Sequence, residues 1–278
     1  MAAAMQPDEL ERARDLAVRA AREGGGVLRK AWEAGRGDGG PARDVQEKAS
    51  GDYVTEVDRD AERAIGRLLR AEAPEVAVVG EELGGQAGRR SGRFWLVDPL
   101  DGTTNFFHGL PVFAVSVALL EGGRPVAGAV HAPMLGLTFS GAAGLGAAEG
   151  GRPLRVSSRD PATAVVATGF PFRVKDRLPE YERLLRPALR RFEDLRRPGA
   201  ASLDLAWVAA GSLDGFFELG LSPWDVAAGG LLVEEAGGMV TDWAGGADYL
   251  SGDILAGNPA VHATLVELAG QPPAGEIS

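Results

Sequence analysis

Apolar residues recur at helical spacing over residues 7–34, where Leu10, Ala13, Ala17, Ala20, Ala21 and Leu28 share one face. Gly24-Gly25-Gly26 weakens the middle of that helix, at about 1 kcal/mol per glycine relative to alanine. Residues so small also allow close packing against another element. Residues 35–51 are rich in glycine, proline and charge and read as a mobile loop. A second helix is predicted from near Asp58, through DRDAERAIGRLLRAE, to Pro74. The period then changes. Short apolar runs at 76–79, 94–98, 113–120, 125–131 and 138–141 read as strands separated by turn signals, with a polar loop at 83–92. Gly150-Gly151 reads as a hairpin turn and 153–156 as its return strand. Beyond residue 155, strands at 165–168, 216–219, 239–242 and 254–256 alternate with helices at 179–194, 203–210, 226–236 and 260–268, the first of these despite Pro187.

The first part therefore mixes helices with a meandering antiparallel sheet, and the second alternates strands and helices, an α/β (α+β) pattern. It suggests an N-terminal unit over 1–155, a C-terminal unit over 156–270 and a disordered tail at 271–278. A length of 278 residues with 45% hydrophobic and 24% charged residues suits one large domain or two closely joined ones. A net charge of −10 argues against direct nucleic-acid binding or an acidic membrane surface, but not against a small anion, because bound metal ions reverse the local field. The absence of cysteine excludes disulfides, zinc–thiolate sites and cysteine nucleophiles, and is compatible with a cytoplasmic location. The first residues, MAAAMQPDELERARD, lack the apolar core of a secretory signal, and the longest apolar run, 112–120, is too short to span a bilayer.

The chemistry concentrates in WLVDPLDGTTNFFHG at 95–109. An apolar strand ends at Asp98, since Pro99 cannot continue a ladder and Asp101-Gly102 signals a turn. Two carboxylates this close repel unless a cation lies between them. Gly102, Thr103, Thr104 and Asn105 follow, small residues suited to holding a phosphate. Taken alone, Asp98 and Asp101 read as turn residues, Glu81-Glu82 as a solvated loop, and Asp58 and Asp225 as helix caps. Together, Glu81, Asp98, Asp101 and Asp225 form an all-oxygen set that favours Mg²⁺ or Mn²⁺ over zinc. His108, His131 and His262 show no metal-ligand spacing.

Four signatures carry a resemblance: GEE at 80–82, DPLDGTTNFFHGLP at 98–111, ATGFPFR at 167–173 and PWDVAAGGLLVEEAGG at 223–238. In order and spacing the chain resembles the inositol monophosphatases, most closely their bacterial branch. The resemblance implies a layered αβαβα sandwich of the sugar-phosphatase type. It implies that Glu81, Asp98, the carbonyl of Leu100, Asp101 and Asp225 bind two or three Mg²⁺ ions, for which Mn²⁺ can substitute. Thr103 and Asp58, with Glu81, would activate the attacking water. The N–H groups of Gly102 and Thr103 would hold the phosphate, and Glu218 with Gly199, Ala200 and Ala201 would contact substrate hydroxyls, Asp101 and Asp225 also bordering the substrate. Lys48 would lie in a loop closing over the metals. The expected activity is hydrolysis of myo-inositol monophosphates, with fructose 1,6-bisphosphate or histidinol phosphate as rival substrates and lithium sensitivity. A role in transcription complexes is an alternative of another class. The resemblance also implies a homodimer.

Overall fold

The computed structural model describes residues 5–35, 45–49, 52–82 and 92–270. The tail at 271–278 and most of the polar loop at 83–92 lie outside the described residues, as do residues 36–44 of the 35–51 segment.

Helix α1 spans Pro7–Gly35, opening on a proline whose missing N–H costs nothing there and on Asp8 and Glu9, which suit the positive end of the helix dipole. A Cβ on Gly24 would fall 2.6 Å from the Ile65 side chain and one on Gly25 2.4 Å from His131, whereas one on Gly26 would meet nothing within 4 Å. Two of the three glycines therefore let α1 lie close against its neighbours. Strands β1 (Val45–Ala49) and β2 (Asp52–Thr55) pair antiparallel, so the segment expected to be loop holds a strand. The composition hid it, because the run is too polar to show strand periodicity. Helix α2 (Glu56–Glu72) follows directly.

Strands β3 (Ala77–Gly80), β4 (Arg93–Asp101), β5 (Ala114–Glu121), β6 (Arg124–Ala132), β7 (Leu137–Ala142), β8 (Gly146–Glu149) and β9 (Arg152–Pro153) form a sheet in sequence order. It is antiparallel throughout except for the β3–β4 pair. The last strand is shorter than the expected 153–156. Strand β4 is buried on both faces, with Trp95 and Val97 in the core under α1 and α2, and Phe94 and Leu96 in the core on the opposite side. It does not stop at Asp98, as the proline suggested. Pairing resumes at Asp101, opposite Ala114, after a bulge of one extra residue. A bulge is where a sheet tolerates a proline.

The second sheet runs β11 (Asp194–Arg196), β10 (Val165–Thr168), β12 (Gly215–Glu218), β14 (Ile254–Gly257), β13 (Met239–Thr241). Strand β11 starts at the end of the stretch expected to be helical, which closes at Arg191 as α4 (Leu178–Arg191). Helices α5 (Ala201–Ala209) and α6 (Pro223–Glu235) are buried nearly all round and lie between the two sheets. Helices α4 and α7 (Pro259–Ala269) cover the outer face of the second sheet. A short helix, α3 (Thr103–Phe107), sits at the end of β4. The order of layers, helices, sheet, helices, sheet, helices, is the expected αβαβα sandwich. No described helix is long and apolar enough to cross a membrane.

The three glycines of α1 make a direct test. Gly26→Ala should raise stability by about 0.5–1 kcal/mol, the ordinary helix gain. Gly24→Ala and Gly25→Ala should lower it, because each methyl overlaps a neighbouring side chain. Urea midpoints of the three variants distinguish the positions; equal shifts in one direction would remove the packing explanation.

Candidate active site

The β4 bulge carries Asp98 and Asp101 to the same place as Asp225, in the first turn of α6. One oxygen of each lies within 4.8 Å of the others, and all three residues are buried. Each carboxylate has its own support. Asp98 Oδ1 accepts the N–H of Leu100 at 2.9 Å. Asp101 Oδ1 accepts the N–H of Ala201 at 3.2 Å, and its Oδ2 accepts the N–H and hydroxyl of Ser202 at 2.7 and 2.6 Å. Asp225 Oδ2 accepts the N–H of Ser222 at 2.7 Å, half of a capping box. Asp225 does cap its helix, and its carboxylate also faces two others.

The electrostatic result is strain. Burial, followed by the charges of Glu81, Asp101 and Asp225, pushes the Asp98 carboxyl well above the usual range. Burial and Asp225 push Asp101 up to about 6, against the hydrogen bonds from Ser202 and Ala201. Glu81, just after β3, therefore stands close enough to Asp98 to act on it, and its own N–H donates to the Val97 carbonyl at 3.2 Å. A buried group of acids made only of oxygen donors suits a hard cation.

Gly102 stands at φ 88°, a conformation open to glycine, and begins α3. The Thr103 hydroxyl donates to the Leu100 carbonyl at 3.0 Å, joining two predicted site residues. Gly102, Thr103 and Thr104 line one side of a cavity of about 120 Å³, with Asp101, Asp225, Gly199, Ala201 and Glu218 among its other walls. Ala200 is buried and does not line it, and Asp98 and Leu100 lie beneath the surface. Asp58 is buried in the first turn of α2. The side chain of Lys48 lies outside the described residues.

Several residues here were not expected. Glu62, one turn after Asp58, is buried, and its Oε2 accepts the N–H of Glu82 at 2.7 Å. A Cβ on Gly80 would sit 1.9 Å from its other oxygen, so the GEE turn is folded onto this carboxylate. An acid on the apolar face of an amphipathic helix was the available signal. Asn105, expected beside Thr103 and Thr104 in the phosphate cradle, is instead buried, and its Nδ2 donates to the carbonyls of Val112 and Pro198 at 2.7 and 2.8 Å, tying α3 to the wall that carries Gly199. Arg173 Nη1 lies 3.7 Å from Asp225 Oδ2. Arg197 stacks over Phe170 and Phe172, 5.9 and 5.7 Å from their centroids. Both arginines line the cavity. They sit in loops, where no periodicity marks them. Asp204, on α5, is buried with Oδ1 unpaired, and burial together with Asp101 and Glu218 raises its carboxyl well above normal. Burial and Asp225 push Glu218 up to about 8, against the opposing pull of Arg197.

These shifts fix a sign. An acid whose pKa is higher folded than unfolded binds more protons in the folded state, so stability falls as pH rises through that window. Glu218 spans 4.5 to about 8. Burial holds His131 and His262 below 6.5, which acts oppositely under about pH 6.5. Metal-free protein should therefore melt at a lower temperature at about pH 8 than at about pH 6.5, and Mg²⁺ should raise the melting temperature more at the higher pH. A flat or rising metal-free profile would contradict the charge assignment.

The chain matches the Inositol monophosphatase family over residues 9–272. It is 48% identical over 250 residues to the Nus factor SuhB of Pseudomonas aeruginosa, covering 88% of this chain and 90% of that protein. The crystal structure of extragenic suppressor protein SuhB from Bartonella henselae superposes with a TM-score of 0.85 at 39% identity, covering 94% of this chain and 99% of that one. The Thermotoga maritima IMPase gives 0.80 at 33% identity, covering 92% and 95%.

Proposed function

The chain belongs to the inositol monophosphatase family, and from that premise we propose that it hydrolyses myo-inositol monophosphates to inositol and phosphate with Mg²⁺. The observation that carries the reading is the buried trio Asp98, Asp101 and Asp225 beneath a cavity bordered by Gly102, Thr103 and Glu218. Glu81, Asp98, the Leu100 carbonyl, Asp101 and Asp225 would hold two or three ions. Bound Mg²⁺ supplies phosphate neutralisation, a water of lowered pKa and stabilisation of the leaving oxygen. The Thr103 hydroxyl would orient the attacking water, and the carboxylates of Asp58 and Glu81 would take its proton. The N–H groups of Gly102 and Thr103 would hold the phosphate at the cavity wall. Glu218, on the cavity wall, would hydrogen-bond a substrate hydroxyl, and the Gly199–Ala201 segment would limit the shape of the alcohol. Homodimer formation, a cytoplasmic location and lithium sensitivity belong to the same proposal. Fructose 1,6-bisphosphate and histidinol phosphate remain the rival substrates, since few contacts choose among alcohols.

A panel of phosphate monoesters tests this. Activity should vanish in EDTA, return with Mg²⁺, and be highest on inositol monophosphates. Asp101→Asn should lower kcat at least about 100-fold, roughly 2.7 kcal/mol. A preferred substrate outside the inositol phosphates would overturn the substrate assignment, and full activity in EDTA the metal mechanism.

A second reading is favoured by the name Nus factor carried by relatives such as that of Escherichia coli, 45% identical over 249 residues. We propose a protein-interaction role in transcription complexes, compatible with the enzymatic one. Tagged Asp101→Asn protein should then capture RNA polymerase or an elongation factor from a lysate as well as the wild type does. Absence of both from the wild-type capture would speak against this reading.

A further inference from the structure

Two irregular segments form the outer rim of the cavity. Residues 169–177, between β10 and α4, carry Phe170, Phe172 and Arg173; residues 219–222, between Glu218 at the end of β12 and the start of α6, carry Gly220 and Leu221. One guanidinium joins them. Arg177 donates to both oxygens of Asp253, from Nη1 at 2.8 Å and Nη2 at 2.7 Å, and to both oxygens of Glu180, from Nε at 2.8 Å and Nη2 at 2.9 Å. Asp253, just before β14, also accepts the N–H of Gly220 at 3.0 Å. Beside it the carbonyl of Gly252 accepts the N–H of Leu221 at 2.9 Å. A Cβ on Gly220 would meet Val174 at 2.7 Å, so the two segments also touch directly.

Bidentate, charge-assisted pairing of this kind fixes orientation as well as distance. Neither Arg177 nor Asp253 lines the cavity. The phosphate end is anchored elsewhere, on β4 and α3, and Asp225 has its own capping box. The 252–253 corner takes hold of the rim at Gly220 and Leu221, next to Ser222, whose N–H remains the donor to Asp225.

We propose that Arg177 and Asp253 are positioning residues for the alcohol half of the substrate, setting where Phe170, Arg173 and Glu218 stand above the acid cluster. The proposal rests on the reading of the cavity as a polyol-phosphate site. The Arg177–Asp253 pair sets affinity for the polyol and leaves phosphoryl transfer unchanged.

Steady-state kinetics of the Mg²⁺-supplemented full chain test it, with inositol 1-phosphate and with p-nitrophenyl phosphate, whose leaving group offers no hydroxyls. Arg177→Met and Asp253→Ala should each raise KM for inositol 1-phosphate about tenfold, with kcat and both constants for the aryl phosphate within about twofold. The double variant should add nothing further, and Arg177→Lys, which keeps the charge without the fork, should fall between and serve if either truncation folds poorly. Equal KM changes for both substrates, no change, or a shared fall in kcat would overturn the proposal. If the wild type cleaves the aryl ester but not inositol 1-phosphate, the substrate reading has failed independently. Hydrogen exchange then decides: peptides covering 169–177 and 219–222 should exchange about tenfold faster in Asp253→Ala, with β4 unchanged. Unchanged exchange in both segments would remove the positioning role.

Discussion

The mutual repulsion of Asp98, Asp101 and Asp225 is the constraint to which the rest of the structure answers. At separations within 4.8 Å, each ionised pair costs roughly 3–4 kcal/mol at an effective dielectric of about 20, before any desolvation. The fold opposes this with fixed donors. The Leu100 N–H, the Ala201 and Ser202 N–H groups with the Ser202 hydroxyl, and the Ser222 N–H each take one carboxylate. These donors lower the cost without cancelling it, since Asp98 and Asp101 both remain raised. A bound cation would remove the remainder, and the same cation would supply the chemistry expected of the family.

That arrangement explains the layering. The trio draws on three pieces of chain: the β4 bulge, the start of α5 and the start of α6. Both helices are buried nearly all round and lie between the two sheets. Their N-terminal ends consequently come to the end of β4, where Ser202 and Asp225 are needed. Gly24 and Gly25 bring α1 down on the other face of the same sheet, and Glu62 folds the GEE turn back toward β4.

Much of this was legible in the chain. The layer order, most strands and the four acidic ligand candidates followed from apolar period, turn residues and the resemblance. What escaped did so for identifiable reasons. Strand β1 is too polar to show a strand's alternation. Pro99 suggested a strand end because a bulge cannot be seen without the partner register. Arg173, Arg197 and the Arg177–Asp253 pair are loop residues joined across long sequence distances, and charge in a loop reads as solvation. Asp204 sits in a helix where only the tertiary neighbours reveal its burial.

Calorimetric titration of Mg²⁺ into metal-free protein near neutral pH, repeated in buffers of different ionisation enthalpy, tests the central claim most directly. Raised carboxyls that meet a cation must release protons. Binding should therefore be saturable, with an apparent enthalpy that varies with the buffer in the sense of proton release, and Asp101→Asn should weaken it severely. Absence of binding, or binding that neither releases protons nor depends on Asp101, would contradict the account.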